Sequence, residues 1–344
     1  MKWDFAIGNP AYQDQTLGDN KGFAPPIYDK FIDAACEIAD RVEMIHPARF
    51  LFNAGSTPKA WNEKMLNDQH FKVLEYEEDA SRVFSNTDIK GGVAITYRDA
   101  GKDFGGIRVF TKYKELNEIL HKASERGDFK SFSKIVVSRT AYRLTDKMHK
   151  EHPEAITQLS QGHAYDMSTN IFDRLPQIFS KKLPDDGIAY IRILGRENNE
   201  RVFKYIRRDY VNNVVNLDKY KILIPKANGI GAFGEIISQP QICAPGIGST
   251  ETFLSIGIFD SEYEVDSCMK YISTKFARAL LGVLKTTQDV TPDKWRYVPL
   301  QDFTDSSDIN WNTSIANIDK QLYKKYGLSQ EEIDFIETHV KEMA

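Results

Sequence analysis

The sequence predicts an α/β amino-terminal part followed by a mixed α+β, strand-rich part that closes with a helix. Three observations carry this. Up to about residue 110, short apolar runs alternate with stretches of helical spacing. From about residue 131 to 303, short apolar runs separated by Gly and Pro dominate. Near the end, Gly327-Leu328-Ser329 is followed by Glu332, the spacing of a capping box. A length of 344 residues fits about two domains at ~100–200 residues each. With 41% hydrophobic and 27% charged residues, the chain reads as a globular protein and not as a disordered one. A net charge of −4 confines any nucleic-acid surface to a local patch. No apolar run approaches the ~18–20 residues of a membrane span, and the first residues lack a signal-peptide pattern. Cys36, Cys243 and Cys268 form no CxxC pair, so reduced thiols in a cytoplasm, with no metal site, are expected.

Taken in order, Trp3–Gly8 is a strand that ends in Gly8-Asn9-Pro10. A polar, glycine-rich loop is expected over 13–22. Ile27, Phe31, Ala34, Ala35 and Ile38 fall on one face and predict a helix over 27–41. Strands are expected over 42–45, 71–76, 92–97 and 107–110, and a helix over 59–68. Strands alternating with helices imply parallel pairing through crossovers. A charged helix over 114–126 follows, with Leu116, Ile119 and Leu120 on its packed face. The strand-rich part has strands over 188–194, 220–224 and Phe253–Phe259, interrupted by one helix over 264–284.

The informative turn is Asn9-Pro10-Ala11-Tyr12. A buried strand delivering such a turn at its C-terminal end places it where open α/β sheets bind ligands. The chemistry suits an exocyclic amine. The amino nitrogen of adenine is a poor nucleophile because its lone pair is delocalised into the ring. Two acceptors aimed at its N–H bonds, the Asn9 side-chain oxygen and the Pro10 carbonyl, push that lone pair outward. Tyr12 can stack on a base flipped out of the duplex.

Here the sequence resembles the gamma-class adenine-N6 DNA methyltransferases of type II restriction–modification systems, whose catalytic motif is Asn-Pro-Pro-Tyr. Further segments resemble that family in order. Pro26 to Phe31 is similar to its motif V, Ile45 to Leu51 to motif VI, and Arg82 to Phe84 with Ile89 to Ile95 to motif VIII. Tyr297 to Phe303 is similar to its C-terminal region. The resemblance implies an incomplete Rossmann-like methyltransferase sheet in which Asn9, Pro10 and Tyr12 are catalytic. Tyr12 and Phe84 would stack on the base, and Phe31 with Asn9 would lie beside S-adenosylmethionine. The implied division is 1–112 as the catalytic-motif half, 113–155 as a helical connector, 156–305 as the target-recognition domain, and 306–344 as a C-terminal helical segment.

Two departures stand out. Ala11 replaces a proline that would hold Pro10 in the extended region and fix its carbonyl, so methyl transfer is expected to be slower. The family's glycine-rich donor motif lies upstream of Asn-Pro-Pro-Tyr, and this sequence lacks it. Gly229-Ile230-Gly231-Ala232-Phe233-Gly234 matches G-x-G-x-x-G literally, but no helix pattern follows, so it is read as a recognition-domain loop. Without those upstream strands, Trp3–Gly8 is expected to be an exposed apolar edge. A partner subunit carrying the donor-binding half, a homodimer through this edge, or a fragment all remain open. The first and last imply weak or absent S-adenosylmethionine binding by the chain alone.

Double-stranded DNA is the expected partner. Residues 192–226 hold nine basic and four acidic residues, a local charge of +5, with interleaved aromatics. That pattern suits phosphate contact through Arg201, Lys204, Arg207 and Arg208, and equally a solvated face. Lys285, opening Lys285-Thr286-Thr287-Gln288, is a second candidate. A non-catalytic DNA-binding or specificity protein derived from the family is the alternative. An RNA or protein-glutamine methyltransferase is a third.

Overall fold

In the computed structural model, residues 2–14, 24–85 and 89–343 are described; most of the loop expected over 13–22 lies outside them. The chain divides into two compact units, Met1–His121 and Lys122–Ala344. The first holds β1 (Trp3–Gly8), α1 (Tyr28–Ile38), β2 (Ala39–Pro47), α2 (Lys59–Asn67), β3 (Phe71–Glu77) and β4 (Val93–Asp99). The division falls inside α3 (Lys114–Ser124). The second holds β5 (Val136–Val137), α4 (Asp146–Glu151), α5 (Ala155–Gln158), α6 (Ile171–Arg174), β6 (Tyr190–Glu197), β7 (Glu200–Arg207), β8 (Tyr220–Pro225), β9 (Gln241–Cys243), β10 (Ile247–Ser249), β11 (Phe253–Phe259), α7 (Glu262–Ser273), α8 (Lys275–Gly282), α9 (Ile315–Lys325) and α10 (Gln330–His339). No helix among the described residues is long and apolar enough to cross a membrane.

Unit 1 is built on one sheet of order β1-β2-β4-β3. β1 runs parallel to β2, with Gly8 opposite Met44. β4 runs antiparallel to both of its neighbours. Parallel pairing, expected throughout, is therefore confined to β1 and β2, because β4 inserts between β2 and β3 in the reverse direction. Pro47 and Glu77 both face Val93. The C-terminal ends of β1, β2 and β3 and the start of β4 thus share one rim.

The sheet's two faces differ sharply. Val42, Met44, His46, Ala94 and Thr96 are buried in a core with Tyr28, Ile32 and Ala35 of α1 and Trp61 and Met65 of α2. The i, i+4, i+7 spacing in α1 puts those three on one stripe. On β1, alternate residues Trp3, Phe5 and Ile7 are 72%, 45% and 73% exposed. β1 has β2 as its only strand neighbour among the described residues. The helix expected over 27–41 stops at Ile38, where Ala39 turns extended and begins β2 without a loop. The strand expected over 107–110 is absent: Gly105 and Arg108 have φ of 74° and 57°, incompatible with a pleated strand.

Unit 2 contains the three-stranded sheet β10-β6-β7 and the four-stranded sheet β5-β11-β8-β9. β6 and β7 form a hairpin through Asn198-Asn199, both at positive φ, the signature of a type I′ turn. The single helix expected over 264–284 is two. Thr274 is extended and caps α8 by accepting from the Ala277 N–H. Asp319 accepts from Lys275 N and Phe276 N at 3.0 and 2.9 Å, satisfying the orphan donors of that first turn. The capping box at Ser329 and Glu332 is present with both bonds.

Candidate active site

The rim of unit 1 gathers the catalytic and base-stacking residues singled out by sequence, Asn9, Pro10, Tyr12 and Phe84. Asn9 follows directly on β1 and is exposed. Its side chain makes no hydrogen bond among the described residues. Tyr12 is tied back by its carbonyl, which accepts from Ile27 N at 3.2 Å, and Gln13 bridges Pro26. The Asn9–Tyr12 turn is thereby anchored to the start of α1. The Tyr12 hydroxyl is buried without a partner, and burial raises its pKa.

Phe84 follows the 3-10 turn Ala80–Arg82, which comes after β3. Its ring centroid lies 6.3 Å from that of Tyr12, with 68° between planes. The two predicted base-stacking rings are thus neighbours, meeting edge to face. Phe31 is 44% exposed on α1. The start of that helix is pinned by Tyr28, whose ring stacks on His46 at 5.7 Å and packs against Phe50 and Trp61. His46 pairs with the Thr96 hydroxyl at 2.7 Å, and burial holds its pKa down to about 4. It is a neutral core residue.

Arg49 opens the short turn Arg49–Phe52 after β2 and is exposed on the same rim. The sequence reading gave it no role. The only clue was a cation just beyond a strand that ends in proline.

In unit 2 the five expected DNA contacts are not free cations. Two of them are buried. Lys204 is 7% exposed and pairs with Glu197 at 2.6 Å. Lys285 is 4% exposed and ion-paired to Glu235. Arg207 grips Asp209 through two nitrogens and Glu151 through one. Its hydrogen bonds to Asp209 raise the guanidinium's pKa and hold the Asp209 carboxyl down to about 2. Arg208 bonds Asp218 and Asn213, and Arg201 bonds the Gln239 carbonyl at 2.7 Å. Charge counting tallied Glu197, Asp209 and Asp218 but could not show that they pair with these residues, and Glu151 and Glu235 lie outside the counted segment.

The Gly229–Gly234 loop has its own occupant. The Glu235 carboxylate accepts from Ile230 N and Gly231 N at 3.0 and 3.2 Å. Lys285 bridges it to the Asn228 carbonyl. Burial opposes ionisation of Glu235, but Lys285 and the two N–H donors outweigh it, so its pKa falls. A Cβ at Gly229 would sit 2.0 Å from that carboxylate. The loop is a filled cradle and does not fit a nucleotide or methyl-donor site. Among the described residues, no cluster of three or more His, Cys, Asp or Glu could hold a metal ion.

Residues 1–84 match the family model described as Eco57I restriction-modification methylase. The match takes in Asn9, Tyr12, Phe31 and Arg49 and ends at Phe84, so the amino-terminal part of the chain is similar to methylases of restriction–modification systems. Among solved structures, the chain is similar to the type IIG restriction endonuclease BpuSI, with a TM-score of 0.31 and 10% identity over 93% of this chain and 51% of that one. It is also similar to the type IIL restriction-modification enzyme MmeI in complex with DNA, with a TM-score of 0.30 and 12% identity over 98% of this chain and 56% of that one. The chain spans about half the length of each of these two structures. No curated protein matches it.

Proposed function

We propose that the chain is part of a site-specific adenine-N6 DNA methyltransferase of a restriction–modification system. In this reading unit 1 carries the catalytic turn and unit 2 reads DNA. The observation that carries it is the open rim on which an unengaged Asn9 and the neighbouring rings of Tyr12 and Phe84 stand together. The match over residues 1–84 supports it.

The Asn9 side-chain oxygen and the Pro10 carbonyl accept the two N6–H bonds of a flipped adenine and direct its lone pair outward. Tyr12 and Phe84 receive the base. Their edge-to-face contact is worth about 0.5–1.5 kcal/mol, against about 1–3 kcal/mol for a base on an aromatic ring. A stacked base therefore more than replaces the ring–ring contact it displaces, leaving the cost of flipping the base, a few kcal/mol, to the other contacts with DNA. Ala11 leaves the Pro10 carbonyl less firmly aimed than a second proline would, so Ala11→Pro raises the rate of the methyl-transfer step.

S-adenosylmethionine, when bound, supplies the electrophilic methyl group. The residues present fit it only in part: exposed Phe31 can lie beside its methionine portion, but the Gly229–Gly234 loop is filled by Glu235. The donor-binding half then comes from another polypeptide seated along β1, from a second copy, or from a further stretch of a longer protein of which this sequence is a piece, and in the first and last cases the chain alone binds the donor weakly. The experiment is transfer of tritiated methyl groups to duplex DNA, with and without a polypeptide bearing a glycine-rich donor motif. The expected product is N6-methyladenine, lost by at least about 100-fold in Asn9→Ala. Undiminished transfer by Asn9→Ala overturns the assignment. The second reading, a non-catalytic DNA-binding or specificity protein of the same descent, is favoured by Ala11 and the bare β1. It predicts DNA binding with no transfer under any supplementation.

A further inference from the structure

Unit 2 uses its expected DNA cations internally, which raises the question of which cations are available near the catalytic turn. On the rim of unit 1, three described carboxylates are engaged, while Asp29 at the start of α1 has a buried Oδ1 without a partner. Glu77 and Asp79 pair with Arg82, and Glu78 pairs with Lys112. Arg49 and Lys90 are exposed on the same rim and make no ion pair or side-chain hydrogen bond among the described residues. Arg49 and Lys90 are thus two rim cations without an ion-pair partner among the described residues.

Arg49 is also held in place. The residues after it, Phe50 and Leu51, are fully buried. Its carbonyl accepts from Ala54 N at 3.1 Å, and the Ala48 N–H before it donates to the Gly92 carbonyl at 3.0 Å. Its aliphatic stem runs against two glycines in the left-handed region, Gly55 at φ 91° and Gly91 at φ 88°. A Cβ at Gly91 would approach Arg49 Cγ to 2.7 Å, and one at Gly55 would approach Arg49 Cβ to 3.2 Å. Any larger residue at Gly91 would displace the stem. A guanidinium on a packed stem, with no ion pair among the described residues, is preorganised for a fork-shaped acceptor such as a phosphodiester. Parallel pairing of β1 and β2 brings this position to the same rim as Asn9.

We propose that Arg49, assisted by Lys90, binds the DNA phosphate flanking the nucleotide whose base enters between Tyr12 and Phe84. This inference rests on the reading of unit 1 as a methyltransferase part. It gives that unit a backbone clamp of its own, independent of the basic run in unit 2.

The test is fluorescence anisotropy of a labelled mixed-sequence duplex with the full chain across a salt series. Losing one phosphate contact weakens binding about tenfold at low salt and lowers the slope of log K against log salt by about one. Arg49→Gln is expected to show both effects with an unchanged melting temperature. Arg49→Lys should keep the slope and lose only a few-fold in affinity, since a point charge replaces the fork. Lys102→Gln, beyond the opposite end of β4, should change nothing. Wild-type affinity and slope in Arg49→Gln overturn the inference and leave the proposed function standing. An unsubstituted chain that binds no duplex overturns both.

Discussion

At the rim of unit 1, Asn9, Arg49 and Lys90 stand exposed, with no hydrogen bond or ion pair from their side chains among the described residues. In unit 2, Lys204 and Lys285 are buried against Glu197 and Glu235, and Arg207 is enclosed by Asp209 and Glu151. Within the basic run of unit 2, Lys204, Arg207 and Arg208 direct their charge to carboxylates of their own unit. A cation serves DNA only if its own fold leaves it unpaired, and a side chain buried with its counterion has become part of the scaffold. The comparison thus sets two rim cations of unit 1 against three ion-paired cations of the basic run.

Lys285 offers the largest effect with which to break that contrast. Lys285→Met leaves a largely buried Glu235 without its cation, and unpairing a buried charge costs about 3–5 kcal/mol. Urea unfolding should show the loss, and Lys285→Met combined with Glu235→Gln should restore most of it. If the single variant instead keeps its stability and loses salt-dependent DNA binding, Lys285 is a phosphate contact after all.

His46 sharpens the unit 1 side. Its folded pKa of about 4 lies below the ordinary value of 6.5, so between these values the unfolded chain binds the extra proton. Its contribution to stability is complete above pH 6.5, falls as the pH drops toward 4, and then levels off. The full drop is about 3 kcal/mol at 1.36 kcal/mol per pH unit. Unfolding free energies of the wild type and His46→Gln, measured from pH 7 to 4, should diverge in slope only inside that window. Parallel curves would show that His46 is not held neutral, and that the floor beneath the rim is wetter than the packing implies.

Local chemistry made much of this legible in sequence. Ser329 and Glu332 announce α10 because both capping partners lie within one turn. Phe253–Phe259 has the predicted bounds because a continuous apolar run suits a buried strand. The Asn9–Tyr12 turn was placed by the strand before it. What stayed hidden depends on partners far along the chain. The break at Thr274 needs Asp319, forty-five residues on. The fate of Lys285 needs Glu235, fifty residues back. The order of β4 and β3 is set by which neighbour buries Val93 and Ala94, and no local pattern encodes that.

Arg207 gives a smaller effect. Its side chain is 21% exposed, so Arg207→Gln should cost about 1 kcal/mol. The Asp209 carboxyl should return from about 2 toward its ordinary value, readable by NMR titration. The salt slope of DNA binding should not change. A fall of about one in that slope would return Arg207 to the DNA surface and weaken the contrast between the units.

The smallest effect on the isolated chain is expected on the bare face of β1. Phe5 is 45% exposed and meets Tyr97 at 6.3 Å, so nearly half of its surface stays in contact with water in this chain. Phe5→Lys should shift the unfolding free energy by no more than about 0.5 kcal/mol, because a charged side chain there keeps its hydration. It should also reduce self-association, since an open apolar edge is a template for further strands. The same change should abolish stimulation of methyl transfer by a donor-binding polypeptide, because seating that polypeptide would bury the new charge. A Phe5→Lys chain that unfolds much more easily would mean that the face is covered from within. One that is unaltered in both stability and stimulation would place the partner's contact elsewhere.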